Sequence, residues 1–112
     1  MIPVLRVKDG VSFAVIAPSG FRILAALDRA STELGFDLTI TSGCDGTHSG
    51  PEDPHHKGEA YDVRSKDCPD KGYAFQVIMK SLAPDQFFGW LEDAGLPNEH
   101  FHLQQKKGST YP

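Results

Sequence analysis

Residues 55–64 have the sequence HHKGEAYDVR, which places a histidine pair at the end of a loop and a carboxylate in the segment that follows. Residues 60–64 are typical of a β-strand, and Gly58 marks a short turn before them. Asp62 therefore lies seven positions after His55, at the far end of that turn. Neutral imidazole and carboxylate groups both suit Zn²⁺, so this segment predicts part of a metal site.

The loop before this segment is long. It runs from Ser42 to about Lys57 and is dense in glycine, proline, aspartate and histidine. Loops of this length are uncommon unless they are functional or disordered. Residues 36–41, just before the loop, alternate apolar and polar side chains, which predicts a strand with one buried face.

The first part of the chain predicts a strand and a helix. Residues 11–16 are rich in β-branched and aromatic side chains, which is typical of a strand. Apolar residues at near-helical spacing predict a helix over residues 21–34, with Ser19 as a candidate N-cap and Gly35 as the stop signal. The same reasoning predicts a second helix over residues 72–82.

Two further strands are predicted over residues 87–91 and 100–104, joined by a turn at residues 95–98. The strands are grouped with two helices and do not alternate strictly with them. This grouping predicts an α+β fold with a mainly antiparallel sheet. A chain of 112 residues without a long linker is expected to form a single domain over residues 1–112.

Composition excludes several functions. The formal net charge is -4, and the only short basic cluster is Lys106–Lys107, so nucleic acid is not an expected partner. No apolar run approaches the roughly 20 residues that span a bilayer. The start of the sequence lacks the features of a secretory signal, which predicts synthesis in the cytoplasm and action on an outside substrate only after release or delivery. Cys44 and Cys68 are expected to be reduced rather than bridged.

The five histidines all lie in the long loop and the last predicted strand, at positions 48, 55, 56, 100 and 102. A strand places residues i and i+2 on one face, so His100 and His102 project together. Glu99 is one position off that face, near the start of the strand. Three protein ligands with one open coordination position are typical of catalytic zinc sites, whereas closed sites with four ligands are structural.

The chain resembles the zinc peptidases of the Hedgehog/DD-peptidase fold in two motifs, His55-x-x-Gly58-x-Ala60-x-Asp62 and Glu99-x-x-His102. These peptidases include D-alanyl-D-alanine carboxypeptidases and dipeptidases, and the L-alanyl-D-glutamate endopeptidases of phage endolysins. The resemblance covers residues 36–104 and is closest to the small, compact members. It implies zinc-dependent hydrolysis of a peptide bond in peptidoglycan stem peptides, of the carboxypeptidase or endopeptidase type.

The resemblance also implies roles for individual residues. One zinc ion would be held by His55, Asp62 and His102, because His56 does not fit the motif spacing. Glu99 would act as the general base that activates a zinc-bound water, and such a base must lie within reach of the proton it accepts.

Other residues near these motifs are weaker candidates. Glu92 is the reserve choice for the general base. His100 is expected to support a ligand or to face solvent on its strand rather than to bind the metal. Cys44 is a minor candidate for a fourth ligand. The aromatic residues Phe87, Phe88 and Trp90 are expected to belong to the core rather than to a substrate platform.

One position departs from the family pattern. Many relatives have an arginine two positions after the Ser-Gly pair, where this chain has Asp45. His48 is then a candidate to stabilise the substrate's developing negative charge, and Arg64 is a second possibility. Asp45 and Arg64 are expected to contact the substrate. The missing arginine also supports an alternative, a zinc-containing module that binds the cell wall without cleaving it. A third possibility is a structural zinc domain with a closed site.

Overall fold

In the part of the chain that the structure describes, five strands form one sheet, and two helices pack against it. The computed structural model describes residues 2–46 and 50–107. In chain order the elements are β1 (Leu5–Val7), α1 (Pro18–Leu34), β2 (Leu38–Ser42), β3 (Ala60–Arg64), α2 (Lys71–Met79), β4 (Phe87–Glu92) and β5 (His100–Gln105). The strands lie in the order β1-β2-β3-β5-β4 across the sheet. β3 is the middle strand of the sheet. The long connection from β2 therefore ends at the centre of the sheet, and the long connection to β4 starts there.

The sheet is mixed. β1 runs parallel to β2, with α1 as the connection between them, whereas the pairs β2–β3, β3–β5 and β4–β5 are antiparallel. An α+β fold with two helices is confirmed. The expected mainly antiparallel sheet is corrected to a mixed one, because the short strand β1 was not predicted and it adds the parallel pairing.

The sheet has one apolar face and one polar face. Tyr61, Val63, Phe101 and Leu103 alternate along β3 and β5 and are buried beneath the helices, where they form the centre of the core. Phe75 of α2 packs on this side, with its ring centroid 5.8 Å from that of Phe101. The intervening residues of β3 and β5 point to the opposite face, since strand side chains alternate.

The predicted strand over residues 11–16 is wrong. This segment is irregular, and its polar groups bond to a loop instead of a neighbouring strand. The carbonyl oxygen of Ser12 accepts a hydrogen bond from the backbone of Cys44, and Phe13 stacks on Tyr61 with ring centroids 5.8 Å apart. The aromatic and β-branched residues of this segment therefore contribute to packing and do not indicate a paired strand.

Both helices depart from prediction at their ends. α1 starts at Pro18 with Ala17 in the N-cap position, so the expected cap at Ser19 is wrong, and that residue is buried inside the helix. Gly35 ends the helix in a left-handed conformation, as predicted. The side chain of Asp70 caps α2 by accepting from the backbone of Tyr73.

The strands β3, β4 and β5 lie where the sequence predicts them, within one residue at each end. Cys44 and Cys68 are unbridged. Neither helix in the described part of the chain has the length and apolar content that crossing a membrane requires.

Candidate metal centre

The polar face of the sheet arranges its side chains in rows across neighbouring strands. In one row, Asp62 of β3 lies opposite His102 of β5, which lies opposite Trp90 of β4. In the next row, Arg64 and Glu92 lie on either side of His100. Strand register therefore brings residues that are up to 40 positions apart in sequence into direct contact.

His55 reaches the first row from the loop between β2 and β3. Its Nε2 lies 3.4 Å from Oδ1 of Asp62, and its Nδ1 lies 3.0 Å from the carbonyl oxygen of Gly43. The loop is shaped by its own bonds, since the backbone N–H of His55 donates to Asp53 and its carbonyl accepts from Gly58. These bonds hold the imidazole over the sheet.

His102 approaches the same carboxylate oxygen with its other nitrogen. Its Nδ1 lies 2.9 Å from Oδ1 of Asp62, and its Nε2 lies 2.7 Å from Oε1 of Gln104. His55, Asp62 and His102 each offer one ligand atom, and these atoms all lie within 4.8 Å of one another. All three residues are buried.

This group fits a divalent metal ion. Tetrahedral zinc with N and O ligands at about 2.0–2.1 Å places its ligand atoms roughly 3.3–3.5 Å apart, and the contacts of Asp62 with the two histidines are 3.4 and 2.9 Å. Each histidine also has its outer nitrogen bonded to an oxygen, the usual arrangement around metal-binding imidazoles. His55, Asp62 and His102 could therefore hold a metal ion.

Electrostatics in the group favour ionised Asp62. Burial alone would raise the pKa of the Asp62 carboxyl, but hydrogen bonds to His102 and His55 and the charge of His100 hold that pKa well below its usual value. Burial lowers the pKa of His102, yet its bonds to Asp62 and Gln104 raise it overall. A metal ion would compete with protons for the same lone pairs.

Glu99 lies apart from this group. Its Oε2 is 2.6 Å from Nζ of Lys71 and 2.5 Å from Oγ of Ser65, and its Oε1 accepts from the backbone of Gly95 at 3.0 Å. The bonds from Lys71, Ser65 and Gly95 lower the pKa of Glu99 to about 2, although burial opposes this. The carboxylate does line the cleft that Asp62 also lines.

His100 lies beside the triad. Its Nε2 lies 2.8 Å from Oε1 of Glu92 and 3.5 Å from Oδ2 of Asp62, and its Nδ1 lies 2.7 Å from the carbonyl oxygen of Asn98. Glu92, the reserve base, is thus bonded to His100.

The aromatic residues of β4 differ from one another. Phe87 is buried in the core as expected, but Trp90 is 40% exposed. The ring of Trp90 stacks on Phe88 at 5.2 Å and lies 4.5 Å from the ring of His102. The prediction that Trp90 belongs to the core is wrong, because its strand position faces the polar side of the sheet.

A cleft of about 580 Å³ opens beside the triad. Arg64 lines it together with Asp62, Glu99 and His100, so the sequence-predicted Arg64 is brought to the site. Asp45 has a different position: its Oδ1 accepts from the backbones of Ser12 and Gly43, which braces the loop that holds His55. His48 lies outside the described residues.

Several contributors were not predicted from sequence. Gln104 follows His102 by two positions on the same strand face, so strand alternation carried a signal for it. The carbonyl of Gly43 and the side chains of Lys71 and Ser65 left no such signal. The thiol of Cys44 is bonded to Ser12 and is not part of the triad.

Comparison with protein-family models, curated proteins and solved structures gives no match for this chain. Its chemistry must be inferred from the site itself.

Proposed function

We propose that this chain is a zinc-dependent peptidase that cleaves a peptide bond in peptidoglycan stem peptides, of the carboxypeptidase or endopeptidase type. The observation that carries the proposal is the convergence of three buried residues with ligand atoms, from a loop and two strands, of which Asp62 also lines a cleft. Three protein ligands are typical of catalytic zinc sites. The substrate class and the Hedgehog/DD-peptidase fold come from the two sequence motifs.

The donor set suits zinc chemistry. Two neutral imidazoles and one carboxylate leave part of the ion's charge uncompensated, and Zn²⁺ prefers such mixed nitrogen and oxygen ligands. When bound, zinc supplies a Lewis acid that polarises a carbonyl group and lowers the pKa of water to about 7. Gly43 and Gln104 hold the outer nitrogens of the two rings and so orient their lone pairs toward Asp62.

We place the general base at Glu99, the carboxylate that lines the cleft with Asp62. A base with a pKa of about 2 accepts protons weakly near neutral pH. Its role therefore requires the Lys71 ammonium to move away when substrate binds, because loss of that partner raises the carboxyl pKa. Arg64 lies two residues beyond Asp62 on the same strand face, about 6.6–6.8 Å along β3, where its guanidinium can bind a substrate oxygen.

Hydrolysis of purified muropeptides by the zinc-loaded protein tests this function. We expect release of new amines and the loss of one peptide bond by mass spectrometry. Asp62→Asn should lose both zinc and cleavage. Glu99→Gln should keep its bound zinc and lose at least about 100-fold in rate, the usual contribution of a general base. A wild-type protein with bound zinc and no cleavage of any stem peptide would show that the proposal is wrong.

A second candidate is a zinc-containing module that binds the cell wall without cleaving it. The observation that favours it is the position of Glu99, whose carboxylate is bonded to Lys71, Ser65 and Gly95 instead of facing the triad. Sedimentation with insoluble peptidoglycan distinguishes the two. Retention of wild type and Glu99→Gln to the same extent, with no cleavage by either, would support the binding module.

A further inference from the structure

The second carboxylate oxygen of Asp62 faces a third histidine. Oδ1 contacts His55 and His102, whereas Oδ2 lies 3.5 Å from Nε2 of His100. Asp62 is only 9% exposed. A buried carboxylate oxygen needs a donor or a cation to offset its desolvation.

Nε2 of His100 points at this oxygen. The other ring nitrogen, Nδ1, lies 2.7 Å from the carbonyl oxygen of Asn98 and donates to it. Nε2 faces Oδ2 of Asp62 and, at 2.8 Å, Oε1 of Glu92. A ring nitrogen and two carboxylate oxygens that converge on one point are held by a cation between them, which is either the proton of an imidazolium or a metal ion that replaces it.

The same arrangement occurs at His55. There too Nδ1 faces a backbone carbonyl oxygen, that of Gly43, and Nε2 faces an oxygen of Asp62. His100 thus repeats, on the other side of Asp62, the orientation of an imidazole in the candidate metal centre.

Asp93 adds a further ligand to this second group. Glu92, Asp93 and His100 offer ligand atoms that all lie within 4.8 Å of one another. The side chain of Asn98 donates to Oδ2 of Asp93 at 2.8 Å, which orients that carboxylate.

We propose that His100, Glu92 and Asp93 form a second divalent-cation site beside the first. One imidazole with carboxylates suits Zn²⁺ or Mn²⁺. The inference rests on the metal centre of the proposed function but not on peptide hydrolysis. The second site binds more weakly than the first, because Asp93 is exposed and Glu92 is only partly buried.

Zinc titration of the chelator-treated protein tests this site. Bound zinc is counted by atomic emission after equilibrium dialysis, and affinities are measured by calorimetry. We expect two equivalents in wild type, one tight and one weak. His100→Ala and Glu92→Gln should each lose the weak equivalent and keep the tight one, whereas His55→Ala should lose the tight one. Asp85→Asn, which removes an exposed carboxylate elsewhere, should keep both.

Either of two results would overturn the second site. One is a single equivalent in wild type, which means that a proton alone serves His100. The other is a weak equivalent that persists in Glu92→Gln, a variant that keeps the size of the side chain and is checked for folding by circular dichroism. Two equivalents without hydrolysis would contradict the proposed peptidase and leave this inference standing.

Discussion

The two histidines of the candidate metal centre direct different nitrogens toward Asp62. His55 directs Nε2 toward Asp62, and His102 directs Nδ1. Each choice follows from the bond at the opposite nitrogen, to Gly43 or to Gln104. Metal affinity should therefore depend on residues that never touch the ion.

Gln104 gives a direct test at this scale. Gln104→Leu removes the acceptor for Nε2 of His102, and we expect zinc affinity to fall about 10–100-fold, the usual effect of removing a partner of a metal-binding histidine. Competition with a chromophoric chelator measures it. Gln104→Glu keeps an acceptor and should bind zinc at least as well as wild type. Equal affinity of the Leu variant and wild type would contradict the role given to Gln104.

Glu99 makes stability depend on pH. Bonds from Lys71, Ser65 and Gly95 lower its pKa from 4.5 to about 2 in the folded chain. The stability that ionised Glu99 contributes is thus complete above about pH 4.5 and is lost as the pH falls toward 2. In chelator-containing buffer, the difference in urea midpoint between wild type and Glu99→Gln should shrink from pH 6 to about pH 3. A difference that stays constant over this range would show that the Lys71 pair does not stabilise the fold.

The sequence predicted the candidate metal ligands better than the residues that support them. Spacing within residues 55–64 and strand alternation at His100 and His102 are local patterns, and the structure brings His55, Asp62 and His102 together. The bond between Ser65 and Glu99 joins residues 34 positions apart. No local pattern encodes such a contact, because it arises from the packing of separate elements.

At the scale of elements, Gly58 connects the loop that holds His55 to the start of α1. Its φ is 71°, a conformation that glycine adopts without strain. An added Cβ would lie 2.4 Å from the carbonyl oxygen of Val15, and the carbonyl of Gly58 accepts from the backbone of Ala17 just before the helix. The glycine of the motif is thus required for both its conformation and its small size.

Gly58→Ala should therefore destabilise the fold by more than the backbone strain alone. Gly10 has a similar φ of 90° but no atom near its missing Cβ, so Gly10→Ala is the matched control. We expect about 1–2 kcal/mol of destabilisation for Gly10→Ala and about 1–3 kcal/mol more for Gly58→Ala from the clash. Urea unfolding measures both. Zinc affinity should fall only in Gly58→Ala, and equal losses in the two variants would contradict this account.

The elements that were mispredicted share a cause. β1 (Leu5–Val7) is three residues long and partly exposed, so it lacks a clear alternating pattern. Residues 11–16 have strand-like composition, but Ser12 pairs with the loop at Cys44. The composition of a segment indicates whether it is buried. It does not indicate which segment it pairs with, because that depends on the rest of the chain.

At the scale of the whole molecule, a metal ion would join the loop of His55 to β3 and β5. These segments are separated by 40 positions between Asp62 and His102, so the ion links distant parts of the fold. Binding to the folded chain alone should raise the free energy of unfolding by about 2.7 kcal/mol at free zinc 100 times Kd.

Thermal unfolding with zinc and with chelator measures this stabilisation. We expect a clear rise in the melting temperature of wild type on adding zinc. Asp62→Asn, which lacks the shared carboxylate, should show little or no rise. A rise of the same size in both proteins would mean that zinc stabilises the chain at some other place.

Trp90 is the only tryptophan of the chain, and its ring lies 4.5 Å from that of His102. Indole emission responds to charge placed close to the ring, so the protein carries its own optical reporter. Binding of a metal ion at His102 should therefore be visible in real time by intrinsic fluorescence, without a dye or a label.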